Sequence, residues 1–172
     1  MSWGAIQAVA EATGAIAVVA SLIYLAIQIR QNTRAVRAAT YDGMVRGSGE
    51  FLRPMIEDAE LARTFERLAE DWEDPAVSVE ARTRAMYLLT QLFREWENAY
   101  YQWRQGTLED WLWQAWRTVI LSYYHHPGIQ AWWRLRHMAF SEPFQAFLER
   151  SAAPAARIIT TAEAAGAGGG EG

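Results

Sequence analysis

The chain has 172 residues, a formal net charge of −4, nine tryptophans and no cysteine. Its sixteen lysine-or-arginine positions are all arginine. This composition excludes disulfides, thiolate catalysis, cysteine-ligated metals and chemistry that depends on a lysine amine. The acidic balance argues against general nucleic-acid binding, and the length suits one membrane helix followed by one small domain.

An uncharged apolar segment, ATGAIAVVASLIYLAIQI, occupies residues 12–29. As an α-helix these residues would be about 27 Å long, close to the hydrocarbon thickness of a bilayer at about 30 Å. We therefore predict that residues 1–39 form a single transmembrane helix and its exit. Trp3, near the start, is predicted to lie at one lipid interface, where tryptophan is enriched.

Arginines follow the apolar segment and do not precede it. Arg30, Arg34 and Arg37 lie on its C-terminal side, whereas residues 1–11 contain no basic residue. The positive-inside rule predicts an external N-terminus and a cytoplasmic C-terminal domain, with the three arginines at the lipid headgroups. The alternatives are a cleaved signal peptide, a buried helix of a soluble domain and an in-plane anchor. The charge placement disfavours the first, and the lack of a polar face disfavours the last.

The next stretch is predicted to hold the end of the first helix and a short second one. Gly43 and Gly47 are four residues apart, which would either let another helix approach closely or leave this part of the helix frayed or kinked. Pro54 is predicted to bend or end the first helix, and Asp58 to cap the second. Nine acidic residues lie between residues 57 and 80, and Asp71, Glu73 and Asp74 cluster just before Pro75. We interpret this cluster as a solvated acidic loop and not as a Ca²⁺ or Mg²⁺ site, because an EF-hand spacing is absent.

Four further helices are predicted from apolar residues spaced three and four apart. Their predicted first or capping residues are Ser78, Thr107, Pro127 and Ser141. Gly106 is predicted to end the first of them, so that the first two form an antiparallel hairpin. Thr107 and the acid three residues later resemble a capping box. The predicted fold class is all-α, with one N-terminal transmembrane helix, a small cytoplasmic helical bundle at residues 40–150, and a disordered Ala/Gly-rich tail at residues 151–172.

Seven of the nine tryptophans fall between residues 96 and 133. Those on the apolar stripes are predicted to be core. Trp113 and one of the pair Trp132 and Trp133 are predicted to point off their stripes. Because exposed indoles concentrate at interfaces and wet membrane edges, these residues would mark a partner surface, a pocket or the lipid headgroups. The predicted partners are membrane lipids and further copies of the chain or other membrane-protein subunits, and not nucleic acid.

Glu97, Tyr101 and Arg104 form the candidate polar site on the longest helix of the bundle. A glutamate buried there would have a shifted pKa and could act in catalysis, although such groups more often join helices by hydrogen bonds. His125 and His126 are adjacent and cannot both bind one ion from a regular helix face. The sequence contains no nucleophile–base pair, phosphate loop or H-E-x-x-H helix. It therefore predicts no metal or cofactor and favours a protein that is not an enzyme.

Four segments together resemble a family of bacterial membrane proteins. They are GAIAVVASLIYLAIQIRQNT, FREWENAYYQWRQGTLEDWLW, PGIQAWW and FSEPFQAFLE. The resemblance covers roughly residues 10–149. It implies one N-terminal helix in the bacterial inner membrane, an arginine-bearing exit and a small helical cytoplasmic domain. The family has no established activity, so the resemblance implies no catalytic residue.

Three functions follow as hypotheses. The favoured one is a non-catalytic membrane-anchored assembly protein, acting as a homo-oligomer or an accessory subunit of a larger membrane complex, because Gly14, Ala17 and Ser21 permit close helix contacts in lipid. The alternative is a cytoplasmic sensor that binds an apolar ligand or lipid in a Trp/Tyr-lined pocket between the hairpin and the helix that begins at Pro127. The third is an enzyme that uses Glu97.

Overall fold

The computed structural model describes residues 3–155, apart from the side chains of residues 5–10. The residues described form six α-helices and one short 3-10 helix, without a strand. The helices are α1 (Trp3–Glu57), α2 (Ala59–Glu70), α3 (Val79–Arg104), α4 (Asp110–Tyr124), α5 (Pro127–Arg136), the 3-10 helix (His137–Ala139) and α6 (Glu142–Arg150). This confirms the all-α class. Most of the predicted tail, residues 156–172, lies outside the described residues.

The chain divides into two compact units, Met1–Thr40 and Tyr41–Gly172. In the first unit α1 is exposed at every residue from Glu11 to Ala39. Its most apolar 18-residue window has a mean hydropathy of 2.0 and buries nothing within the chain. Of the helices described, this one is long and apolar enough to cross a membrane.

The second unit packs α2–α6 and the C-terminal part of α1 around an aromatic core. From α1, Met44 and Phe51 are buried, and the edge of the Phe51 ring meets Phe65 of α2 at a centroid distance of 5.7 Å. The largest fully buried side chains are Trp96, Trp113, Trp132, Phe93 and Phe144. Because each buried aromatic removes about 150–250 Å² from water, these rings dominate the hydrophobic stabilisation of the domain.

Side-chain capping explains where α2 and α3 begin. The Asp58 carboxylate accepts hydrogen bonds from the backbone N–H groups of Glu60 and Leu61, at 2.9 and 3.0 Å. Ser78 accepts one from Ala81 at 3.2 Å, and α5 begins with Pro127, as predicted. The caps at Asp58 and Ser78 satisfy amide donors that have no partner within the first turn of the helix. α1 continues for one turn past Pro54 and ends at Glu57.

The predicted capping box at Thr107 is wrong. The Thr107 hydroxyl donates to the backbone carbonyl of Gln102 at 2.9 Å, and α4 begins only at Asp110. Gly106, with a φ of 73°, turns the chain in the left-handed conformation that glycine adopts without strain. The turn therefore folds back on the end of α3, and the Asp110 carboxylate accepts a hydrogen bond from the Trp103 indole at 2.8 Å instead of capping.

Two glycines allow close approach between elements. Gly47 of α1 lies against the carboxylate of Glu95 in α3, whereas the space beside Gly43 is open. The predicted close contact therefore exists at one of the two glycines. Gly128 of α5 lies against the backbone carbonyls of Leu68 and Ala69 in α2. A methyl group on Gly128 would stand 2.8 Å from the Ala69 carbonyl oxygen and would overlap that of Leu68.

Candidate functional site

The exposed apolar part of α1 satisfies its own polar side chains. The Ser21 hydroxyl donates to the carbonyl of Ala17 at 2.8 Å, and the Gln28 amide donates to the Tyr24 hydroxyl at 3.2 Å. In hydrocarbon an unpaired polar group costs several kcal/mol, so these bonds lower the cost of placing the segment in lipid. Because the Ser21 hydroxyl is used within its own helix, a helix–helix contact here would depend on close packing rather than on that donor.

Trp3 and the exit arginines stand at the two ends of this segment. Trp3, Arg30, Arg34 and Arg37 are all exposed. The rise from Trp3 to Arg30 is about 40 Å along α1, which matches a bilayer of about 40–45 Å including its headgroups. An indole at one headgroup layer and arginines at the other is the arrangement expected of a spanning helix.

Glu97 lies in a polar contact between α3 and the start of α6. Its carboxylate accepts hydrogen bonds from the guanidinium of Arg94 at 2.7 Å and from the backbone N–H of Ser141 at 2.6 Å. Arg94 also donates to the backbone carbonyl of Ala139. The carboxylate therefore lies at the positive end of the α6 dipole and serves as a fixing point for that helix.

Tyr101 and Arg104 are not brought to Glu97. Tyr101 is 57% exposed, and the Arg104 guanidinium donates to the Tyr100 hydroxyl at 3.1 Å. Among the described residues the hydrogen bonds of Glu97 go to Arg94 and Ser141 only. The predicted grouping is wrong because the Glu97 carboxylate faces the connection before α6.

Trp113, Trp132 and Trp133 are 1%, 0% and 3% exposed, so the predicted exposure of Trp113 and of one member of the pair is wrong. Trp113 stacks on Trp103 with ring centroids 5.0 Å apart and packs against Phe147 of α6 at 5.3 Å. The apolar stripe predicted for α4 still faces inward in part, since Ile120 is buried and Trp116 packs against the core. Trp113, beside that stripe, is buried because Phe147 of α6 covers it.

Trp132 and Trp133 carry indole N–H groups that are buried and have no hydrogen-bond partner among the described residues. Both rings pack against Phe93, with centroids 4.8 and 5.5 Å away. An unpaired buried donor costs about 1–3 kcal/mol. This part of the core therefore gives up hydrogen bonding for aromatic packing.

Trp111 is the exposed tryptophan of the hairpin, and the sequence reasoning missed it by assigning it to the core. It is 68% exposed, and its indole donates to the carboxylate of Glu109 at 2.6 Å. The sequence would have indicated this exposure only if α4 had been predicted to begin at Asp110, which places Trp111 in the first turn of the helix. An exposed indole at a helix start is a candidate contact with a partner or a membrane surface.

His126 and Asp74 also have defined partners within the domain. His126 is buried and its Nδ1 lies 3.0 Å from the carboxylate of Glu70. The Ala76 backbone N–H and then Arg67 hold the pKa of Asp74 below its usual range. Among the residues that the structure describes, no three His, Asp or Glu side chains are grouped so as to hold a metal ion.

Glu95 is a half-buried carboxylate beside Gly47. Burial, and then the carboxylate of Glu50, raise its pKa. Both effects disfavour the ionised form in the folded protein. The contact between α1 and α3 is therefore sensitive to the charge on this side chain.

Comparisons with protein families, with curated proteins and with solved structures find no match to this chain. The resemblance to single-pass bacterial membrane proteins therefore stays a prediction.

Proposed function

We propose that this chain is a single-pass protein of the bacterial inner membrane, with its N-terminus outside and its helical domain in the cytoplasm. It acts there as a non-catalytic assembly protein, either as a homo-oligomer or as an accessory subunit of a larger membrane complex. The observation that carries the proposal is the uncharged helical run at residues 12–29, which is exposed along its whole length. Such a surface is unfavourable in water and favourable in hydrocarbon.

The orientation follows from charge. Arg30, Arg34 and Arg37 follow the run, and residues 1–11 contribute no basic residue. Protease protection tests it directly. Digestion of residues 40–150 is expected in inside-out vesicles, and protection of those residues there would reverse the proposed orientation.

An exposed stripe on α1 supports the assembly role. Tyr41, Val45, Leu52 and Ile56 are exposed large apolar side chains. They are spaced 4, 7 and 4 residues apart, as on one face of a helix. Gly49 lies between Val45 and Leu52 with open space beside it. A narrow apolar stripe with a glycine in it suits another helix packed closely alongside.

The full tagged chain, extracted in native-lipid particles and weighed by native mass spectrometry, tests this role. A fixed multiple of the 19.5 kDa chain supports a homo-oligomer, and additional protein masses support an accessory subunit. A lone chain without a partner overturns the assembly role. Leu52→Glu is expected to reduce the assembled fraction, whereas Val79→Glu, at an exposed position on α3, is the matched control and is expected to leave it unchanged.

The sensor alternative is favoured by one observation, the unpartnered indole N–H groups of Trp132 and Trp133. A ligand with an apolar body and one acceptor would match them chemically. Because both rings are buried, binding would require α5 to move away from α3. A rise in melting temperature with lipid extracts, together with a bound mass on the purified chain, would favour the sensor over the assembly protein.

The assignment as a non-enzyme is supported by the structural use of Glu97, whose carboxylate is occupied by Arg94 and by the Ser141 backbone N–H. A catalytic carboxylate would have to be released from both donors to reach a substrate. A host phenotype lost in Glu97→Gln while the domain keeps its melting temperature would restore the enzyme hypothesis.

A further inference from the structure

The tip of the α3–α4 hairpin carries two exposed aromatic side chains and an exposed arginine. They are Tyr101, Trp111 and Arg104. Aromatic rings with a polar atom, together with arginine, are the side chains enriched at the boundary between lipid and water. These residues are close in sequence and lie on either side of the turn at Gly106.

Contacts within the domain fix where this tip lies. Asp58, which follows the end of α1, and Ser78, which precedes α3, line the same surface depression. Gly47 of α1 lies against Glu95 of α3. α3 therefore runs antiparallel to the residue 41–57 part of α1, and its C-terminal end lies at the Tyr41 end of the domain.

The tip extends at least as far in that direction as Tyr41. Along α3, Arg104 lies about 14 Å past Glu95, whereas Tyr41 lies about 9 Å past Gly47 along α1. Tyr41 is the residue at which the chain enters the domain. It follows Arg30 by eleven residues, which span at most about 40 Å even when fully extended. The covalent connection therefore limits how far this end of the domain can lie from any bilayer that contains residues 12–29.

We propose that the hairpin tip docks onto the lipid headgroup layer of the same membrane, with Trp111 and Tyr101 inserted among the headgroups and Arg104 at the phosphates. This docking depends on the membrane anchor proposed for residues 12–29. The tip carboxylates of Glu109 and Asp110 already accept hydrogen bonds from indoles at 2.6 and 2.8 Å. With one arginine and two acids the tip has no excess of positive charge, so docking depends on the aromatic rings and only weakly on anionic lipid.

The absence of cysteine from the sequence makes the test direct. Gln105→Cys places a fluorescent label at the tip, and Val79→Cys places the same label at the opposite end of α3, both at exposed positions. The full-length chain is reconstituted in phosphatidylcholine vesicles, with and without headgroup spin-labelled phosphatidylcholine. The headgroup quencher is expected to lower the tip signal at least about twofold more than the signal at residue 79, because only the tip reaches the interface.

A second set of variants assigns the contact to the rings. Trp111→Ala with Tyr101→Ala, in the Gln105→Cys chain, is expected to remove most of the quenching. Tyr87→Ala is the matched control, since this tyrosine is similarly exposed on the other half of α3. Equal quenching at residues 105 and 79, or quenching unaffected by the double variant, overturns the proposal. Excimer formation between pyrene labels at the tip, without quenching, assigns the tip to a second copy and also overturns it.

Vesicle flotation separates the tip from the anchor. The Trp111→Ala, Tyr101→Ala chain is expected to float as the parent does, because residues 12–29 supply the anchorage. A chain that floats and resists carbonate but shows no tip quenching refutes the tip contact alone. A parent chain that fails to float refutes the anchor and the tip contact together.

Discussion

Leu22 and Leu148 are the same amino acid in opposite surroundings. Leu22, in the first unit, is 61% exposed, whereas Leu148, in α6, is fully buried. Burial of a leucine side chain is worth about 1.5–3 kcal/mol. The domain gains this stabilisation from its own helices, while α1 from Glu11 to Ala39 gains none from the chain. The exposed segment of α1 therefore lacks the burial that stabilises the domain, and the following variants act on one unit at a time.

The largest effect is expected from charge in the middle of the exposed segment. Val19→Arg with Ile23→Arg would cost about 2.5–3.5 kcal/mol per arginine at the centre of a spanning helix. The carbonate-resistant membrane fraction should fall to near zero. The thermal midpoint of the domain should stay unchanged. Val36→Arg, beyond the apolar run, is the control. Continued membrane insertion of the double variant would contradict the spanning assignment.

Within the domain, tryptophans at buried and exposed sites should differ sharply. Trp132→Ala removes a fully buried ring and is expected to cost about 3–5 kcal/mol in the free energy of unfolding. Trp111→Ala removes an exposed one and should change it by less than about 0.5 kcal/mol. Urea denaturation followed by far-UV circular dichroism measures both. Similar losses in the two variants would mean that Trp111 is part of the core.

Glycine substitutions compare a close contact with an open surface. Gly128→Ala places a methyl group against the carbonyls of Leu68 and Ala69 and is expected to cost about 1–3 kcal/mol or more. Gly49→Ala, in α1 with open space around it, should stabilise the helix by up to about 1 kcal/mol. Melting temperatures that move in opposite directions would support the packing of α5 on α2. A neutral Gly128→Ala would argue against it.

A smaller effect is expected at the carboxylate that joins α3 to α6. Glu97→Gln keeps an acceptor for Ser141 but loses the charge that binds Arg94, and should cost about 1–2 kcal/mol. Hydrogen exchange at the Ser141 amide should accelerate. Glu80→Gln, in the exposed pair with Arg84, serves as the control and should cost at most about 0.5 kcal/mol. Equal effects would show that the Glu97 contact is no stronger than a surface pair.

The smallest effect is expected at Glu95 and depends on pH. An ordinary glutamate ionises near 4.5, whereas burial and then Glu50 raise the pKa of Glu95 in the folded domain. Folding therefore disfavours its ionised form. The destabilisation is absent below pH 4.5, grows as pH rises through the folded pKa, and is complete above it.

Glu95→Gln removes this destabilisation. The variant should be slightly more stable than the parent in urea at neutral pH, and the difference should disappear in acid. Glu73→Gln, at an exposed carboxylate, is the control. If Glu95→Gln were more stable than the parent only in acid, the pKa of Glu95 would not be raised by folding.

Helix starts were predictable where the signal is local. Asp58, Ser78 and Pro127 act on backbone groups within a few residues, so the sequence contains everything that decides them. Thr107 failed because its hydroxyl bonds back to Gln102 across the turn. The Thr107 hydroxyl can form either the capping hydrogen bond or the bond to Gln102, and in the turn at Gly106 it forms the bond to Gln102.

The candidate sites were predicted less well because they depend on distant residues. Glu97 is partly buried, and one of its two partners, Arg94, lies on its own helix, whereas the other is the Ser141 backbone N–H at the start of α6. The exposure of Trp111 depends on how α4 is rotated about its axis. The face of α4 that carries Trp111 and the face that carries Trp113 are both apolar enough to be buried. The spacing of apolar residues alone therefore does not determine which of the two faces is buried.

The sequence by itself determined that residues 12–29 are an uncharged apolar helix, that arginines follow it, and that the rest of the described chain is helical. Those properties depend on composition and on spacings of three or four residues. Only the tertiary structure decided that Trp113 is buried and Trp111 exposed. Phe147 of α6 closes over Trp113 at 5.3 Å, and a contact between residues so far apart in the chain is fixed by packing rather than by local pattern.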